Sequence, residues 1–186
     1  MAVPDFAAAS ERLAAAVLAS TSDPADAIRL LFPLCSYVPP RLPGTGPLSA
    51  AIRLAQNALA AKLRCDACAA LARATALYQP RSYQDAQSLR LAVVGALDAE
   101  AIRNADQGND ATYQALRDLR TAVALDLAIR GAYLATLVEV QTYVPQPSLS
   151  QAWALYGDTT REPELVASAA PRHPLWLPVA FPALSR

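Results

Sequence analysis

The stretch LSAAIRLAQNALAAKLRCDACAALARATALY, residues 48–78, decides the fold. Within it Leu48, Ile52, Ala55, Leu59, Leu63, Ala67, Leu71, Ala74 and Tyr78 recur at steps of three and four. Side chains at that spacing share one face of a helix, here one of about thirty residues. Pro80 stops the pattern, and Ser82 with Asp85 supplies a capping-box-like restart in which Asp stands where Glu or Gln is usual. Ala86, Leu89, Val93, Ala96, Leu97 and Ala101 then carry the same periodicity into a second long helix. After the turn chemistry of Asp106-Gln107-Gly108-Asn109, the residues Tyr113, Leu116, Leu119, Val123, Leu127, Ile129, Leu134 and Leu137 mark a third. Three long helices joined by short loops are expected to lie antiparallel.

Upstream, residues 5–20 are rich in helix formers, with Phe6, Leu13, Val17 and Leu18 near helical spacing, and Asp23-Pro24 ends that helix and opens a short one to about Leu34. From Cys35 to Pro47 the run Tyr37-Val38-Pro39-Pro40-Arg41-Leu42-Pro43-Gly44 holds too many prolines for a helix or a central strand, and reads as a linker or extended arm. Downstream, Pro145 and Pro147 close the long-helix region. Ser148 with Gln151 suggests a second capping box, and a short helix carries Trp153 and Tyr156 to Gly157. Another short helix is expected near Pro163 to Ala169. The tail from Pro171 has four prolines, but Leu175, Trp176, Leu177 and Phe181 accompany them, so it is expected to pack in extended form. The reading is an all-α chain: a bundle of long antiparallel helices with Pro-rich extended arms. It has short helices and a linker in 1–47, the bundle in 48–145, short helices and an arm in 146–186, and one domain overall.

Apolar residues make up 54% of the chain while aromatics reach only 6%. A core so rich in Ala is built from closely approaching helices rather than from large side chains. Sixteen basic residues balance sixteen acidic ones, which is not the basic excess of a nucleic-acid-binding domain. Asp5 and Glu11 precede the first Ala-rich run without a basic segment, so a secretory signal is not expected and the chain should remain in the cell that makes it. The longest uncharged stretch, Val140 to Gly157, is interrupted by Pro145, Pro147 and three glutamines, and no membrane span is expected. Three cysteines, an odd number, point to free thiols rather than a disulfide framework.

The residues that carry chemistry are few. Cys65-Asp66-Ala67-Cys68 has redox or metal spacing, yet it lies inside a helical pattern rather than at a strand–helix junction. No second cysteine pair or nearby histidine completes a zinc site, so packing at a helix contact is the better reading. His173 is the single histidine, and no nucleophile elbow, phosphate loop or dinucleotide fingerprint occurs. Neither a catalytic residue, a metal nor a cofactor is expected. The carboxylate pairs Asp98 with Glu100 and Glu162 with Glu164 fit charged surfaces or helix ends. Fifteen of the basic residues are Arg, a good phosphate ligand, but Arg117, Arg120 and Arg130 alternate with Asp118, Asp126 and Glu139, as on a salt-bridged helix surface.

One family resemblance emerges from the order of several short segments. These are Leu116-Arg117-Asp118-Leu119-Arg120-Thr121-Ala122-Val123, then Asp126-Leu127 and Arg130, then Leu155-Tyr156-Gly157-Asp158, Glu164-Leu165, and His173-Pro174 before Leu177-Pro178. The series resembles the C-terminal region of the DNA circulation proteins of Mu-like phages, over about Ser82 to Pro178. Ser168-Ala169-Ala170 stands where that family has an Arg-Asn pair, and the family's large N-terminal domain has no counterpart here.

The resemblance implies a virion protein of the tail, made in the host cytoplasm. Its partners would be other tail or baseplate proteins in multiple copies, in or near the baseplate or hub. The competing expectations are an injected protein that binds DNA ends to circularise the genome, and a tail assembly chaperone. Balanced charge disfavours DNA as partner, because phosphate contacts supply essentially all non-specific affinity. The interface candidates are Trp153, Tyr156, His173, Trp176 and Phe181. Leu155-Tyr156-Gly157-Asp158 reads physically as a helix end with a left-handed glycine and a following cap. The arm around Trp176 has two readings, packed on its own bundle or docked on a neighbour.

Overall fold

A computed structural model describes residues 3–41 and 43–185. Among these the chain is predominantly α-helical, as its periodicity predicts, with seven α-helices and four short strands. It divides into two compact units, one formed by residues 1–79 with 89–128 and the other by 80–88 with 129–186.

In the first unit, α1 (Val3–Ser20) and α2 (Pro24–Cys35) pack on α3 (Pro47–Leu77). Asp23 caps α2 by accepting the Ala25 N–H at 2.8 Å, and Pro24 fills the first helical position, where a missing N–H costs nothing. Lys62 of α3 reaches Glu11 of α1 at 2.9 Å, and Ser10 donates to Asp66. The segment between α2 and α3 is irregular, as its prolines dictate; Leu42 lies outside the described residues.

The stripe read from residues 48–78 is a core stripe only in its second half. Ala67, Leu71 and Ala74 are fully buried, whereas no residue from Pro47 to Leu59 is buried and Leu48 is 75% exposed. Leu31, Leu71, Val93, Leu97 and Leu127 form the centre of this unit, interleaved with Ala27, Ala70 and Ala101. Each large side chain there contributes about 1.5–3 kcal/mol of burial, and each alanine lets two backbones come closer.

Helix α4 (Tyr83–Asp106) turns into α5 (Asp110–Ala132) through Gly108, whose φ of +73° suits glycine. Asp98 then meets Arg120 Nε at 2.7 Å, so the two helices run antiparallel. Ser82 and Asp85 cap α4 as predicted: Ser82 Oγ accepts the Asp85 N–H at 3.1 Å, and Asp85 Oδ2 accepts the Arg81 N–H at 2.9 Å.

The second unit contains the beginning of α4 and the end of α5. The third long helix stops at Ala132, short of the predicted Leu134 and Leu137. Leu137 instead opens β1 (Leu137–Gln141), where the alternating Val138 and Val140 favour extended backbone. β1 pairs antiparallel with β4 (Ala180–Leu184), placing Val140 opposite Phe181, and β2 (Gln146–Pro147) pairs with β3 (Trp176–Leu177). Between them lie α6 (Ser148–Tyr156), a 3-10 turn (Thr159–Arg161) and α7 (Glu162–Ala169). Ala152, Leu165, Leu177, Phe181 and Ala183 form the core of this unit.

Candidate interaction surface

The C-terminal arm packs on its own unit through Leu177, Phe181 and Ala183. Leu177 and Phe181 point inward and are buried, while Leu175, Trp176 and Val179 are exposed. Within β4, Phe181 and Ala183 are buried while Ala180 and Pro182 are exposed, the two-residue repeat of a strand with one face covered. The Ser148 N–H donates to the Leu175 carbonyl at 3.1 Å, so Leu175 and Trp176 lie beside the start of α6. That helix covers Ala152 and presents Leu149 and Trp153, one turn apart, to solvent. Trp153 is 63% exposed and Trp176 53%, on two neighbouring segments.

The remaining interface candidates have structural tasks. Phe181, 2% exposed, belongs to the unit's core and is not at the surface. Tyr156 is half-buried; its hydroxyl oxygen accepts the Leu184 N–H at 3.1 Å and ties α6 to β4. Burial pushes its phenol up, since the phenolate is the form that loses hydration. The Arg161 guanidinium lies 4.1 Å from the Tyr156 ring centre and reaches Glu164 through Nε at 2.9 Å. Exposed His173 accepts the Leu175 N–H on Nδ1 at 3.2 Å, and its carbonyl accepts the Trp176 N–H at 3.1 Å, so it shapes the bend before β3.

The helix end at Leu155-Tyr156-Gly157-Asp158 forms as its sequence predicts. Gly157 is left-handed at φ +69°, and Asp158 accepts the Thr160 N–H at 2.8 Å. Hydrogen bonds from the Thr160 hydroxyl, and then from its N–H, hold the Asp158 carboxyl below the usual range. The second capping box does not form. Ser148 is buried and its hydroxyl donates to Glu162 Oε1 at 2.6 Å, while its N–H is already satisfied by Leu175. Helix α6 therefore starts after Pro147 with no side-chain cap.

In the first unit Glu100 is a correction to the sequence reading. It is fully buried rather than part of a charged surface, and it accepts Arg64 Nε at 2.7 Å and Arg103 Nη1 at 3.0 Å. Asn104 donates to it at 3.3 Å, and Arg64 also donates to the Tyr37 carbonyl at 3.2 Å, fastening the start of the Pro-rich segment. Glu100 and Asn104 fall on the Val93–Leu97 stripe, and Arg64 falls between Ala60 and Cys68; polar residues in register with apolar ones were the signal for this network. Arg120 pairs across to Asp98, and Arg117 donates to the Tyr113 hydroxyl at 2.9 Å. No three metal-ligating side chains converge among the described residues.

Compared with models of known protein families and with curated proteins, the chain matches none. No helix among the described residues is long and apolar enough to cross a membrane.

Proposed function

We propose that this chain is a non-enzymatic structural component of a phage or phage-like contractile tail, in or near the baseplate or hub, acting through protein–protein contacts. The observation that carries the reading is the exposed pair Trp153 and Trp176, flanked by Leu149 and Leu175, on a unit whose core is already filled by Phe181 and Leu177. Exposed tryptophans are costly in water and are enriched where interfaces hold most of their binding energy. The segment order from Ser82 to Pro178, which resembles the DNA circulation proteins of Mu-like phages, supplies the tail context. Sixteen basic against sixteen acidic residues weigh against DNA as the partner.

Immunogold electron microscopy of gradient-purified particles, with antibody to this chain, tests the reading. Label at the distal end of the tail is the expected result. Unlabelled particles, with the protein confined to infected cells, would replace it by an assembly chaperone. A salt-dependent shift of linear DNA by the purified protein would replace it by a DNA-end binder.

A further inference from the structure

The sheet formed by β1 and β4 has one blocked edge and one open edge. In its ladder the Thr142 N–H donates to the Val179 carbonyl, and the Ser185 N–H to the Thr136 carbonyl, each at 2.7 Å. That phase turns the backbone groups of Val138 and Val140 toward Ala183 and Phe181, and those of Leu137, Glu139 and Gln141 away from β4. On the far side of β4, Pro182 has no N–H to offer and the Leu184 N–H donates to the Tyr156 hydroxyl at 3.1 Å, so that edge is blocked.

On the far side of β1 the ladder is closed only at Leu137. There the Gln84 side chain acts as a strand would: Oε1 accepts the Leu137 N–H at 2.8 Å and Nε2 donates to the Leu137 carbonyl at 3.3 Å. Glu139 and Gln141 are exposed, and among the described residues their outward N–H and carbonyl groups meet no partner. β1 holds no proline, and its single charge is Glu139, so little discourages a further strand.

We propose that the open edge of β1 pairs antiparallel with β1 of a second copy of this chain, about a two-fold axis at Val140, making one sheet in the order β4-β1-β1-β4. The residues of the edge select this occupant and this register. With Val140 opposite the second copy's Val140, Glu139 lies opposite the second copy's Gln141. Their free N–H and carbonyl groups then satisfy one another on both sides of the axis. An axis at Glu139 would set two carboxylates directly opposite and would need the Leu137 groups that Gln84 already holds. An axis at Gln141 would set Val140 against Thr142, beyond the end of the strand.

The pairing also covers an apolar rim. Val138 and Val140 share the face of the buried Phe181 and Ala183, yet Val138 is 45% exposed at the edge. A neighbouring β1 brings its own Val140 beside them, at the closer spacing of a pair without hydrogen bonds. Main-chain pairing at an open edge is one of the ways polypeptides recognise one another. It uses neither Trp153 nor Trp176, so the two surfaces can be tested apart.

The test is sedimentation equilibrium of the full chain over a concentration series, beside Gln141→Lys and Gln141→Glu. Residue 141 faces a Glu139 carboxylate twice in the dimer, so the lysine should tighten it and the glutamate weaken it, each by about 2- to 30-fold in Kd. Hydrogen exchange at the Glu139 and Gln141 amides should slow as concentration rises, with little change at Val138 and Val140, which β4 already holds. Trp153→Ser/Trp176→Ser should dimerise like the unaltered chain. A monomer throughout the series, a dimer indifferent to both Gln141 substitutions, or one lost with the tryptophans would overturn the proposal.

Discussion

Glu100, with no exposed surface in α4, accepts the Nε–H of Arg64 in α3 at 2.7 Å. A buried ion pair is weak evidence of net stability, but removing one partner strands the other in a poor solvent for charge. Glu100→Ala should therefore lower unfolding free energy by about 3–5 kcal/mol, read from urea midpoints at unchanged m-value. The double variant Arg64→Met/Glu100→Leu should be more stable than either single change, because the stranded charge is gone. Arg103, the other partner of Glu100, is partly exposed and can turn to water.

Two glycines in long helices should respond oppositely to the same substitution. A methyl group at Gly131 of α5 would sit 2.9 Å from Ala86 Cβ in α4, whereas one at Gly95 would meet nothing within 4 Å. Gly95→Ala should stabilise by about 0.5–1 kcal/mol through helix propensity alone. At Gly131 the same gain is opposed by overpacking that costs about 1–3 kcal/mol, so Gly131→Ala should lower the melting temperature. Thermal unfolding of the two variants side by side decides it.

Tyr156 should give the protein a stability loss in alkali. Its phenol is raised above the ordinary 10.0, chiefly by burial, so the folded state holds that proton more tightly than the unfolded chain does. The contribution is complete below pH 10 and is lost as pH rises through the folded value. Tyr156→Phe should be less stable at neutral pH by about 1 kcal/mol, for the lost acceptor of the Leu184 N–H, and should fall less steeply above pH 10. Urea titrations from pH 8 upward compare the two slopes.

Helix periodicity made most of the secondary structure legible, because Leu71, Val93, Leu97 and Leu127 had to share faces to be buried together. It said less about how far a face is covered. Leu48 and Ile52 belong to the same stripe as Leu71, yet α1 and α2 are short and cover only part of a helix of 31 residues. The end of α5 was misread because Leu134 and Leu137 keep helical spacing, while the alternation of Val138 and Val140 is the stronger instruction once β4 is there to pair with them. Ser148 looked like a cap, but its buried hydroxyl finds Glu162, fourteen residues away, and no local pattern carries that contact. Among the interface candidates, Trp153 and Trp176 are exposed and Phe181 is not. Every aromatic in a Pro-rich arm looks alike in sequence; Phe181 falls on the buried face of β4, whereas Trp176 lies in β3 opposite Pro147 of β2 and is exposed.

The central claim is that the surface around Trp153 and Trp176 joins this chain to other proteins of a particle. The most direct test is the amount of a Trp153→Ser/Trp176→Ser chain that co-sediments with assembled particles, against the unaltered chain made at the same level. Both side chains are largely solvent-exposed, so circular dichroism and melting temperature should stay within the small range of surface substitutions, about 0.5 kcal/mol each. The account predicts a folded double variant that is lost from the particle fraction. A folded double variant recovered in particles at the unaltered level would contradict it.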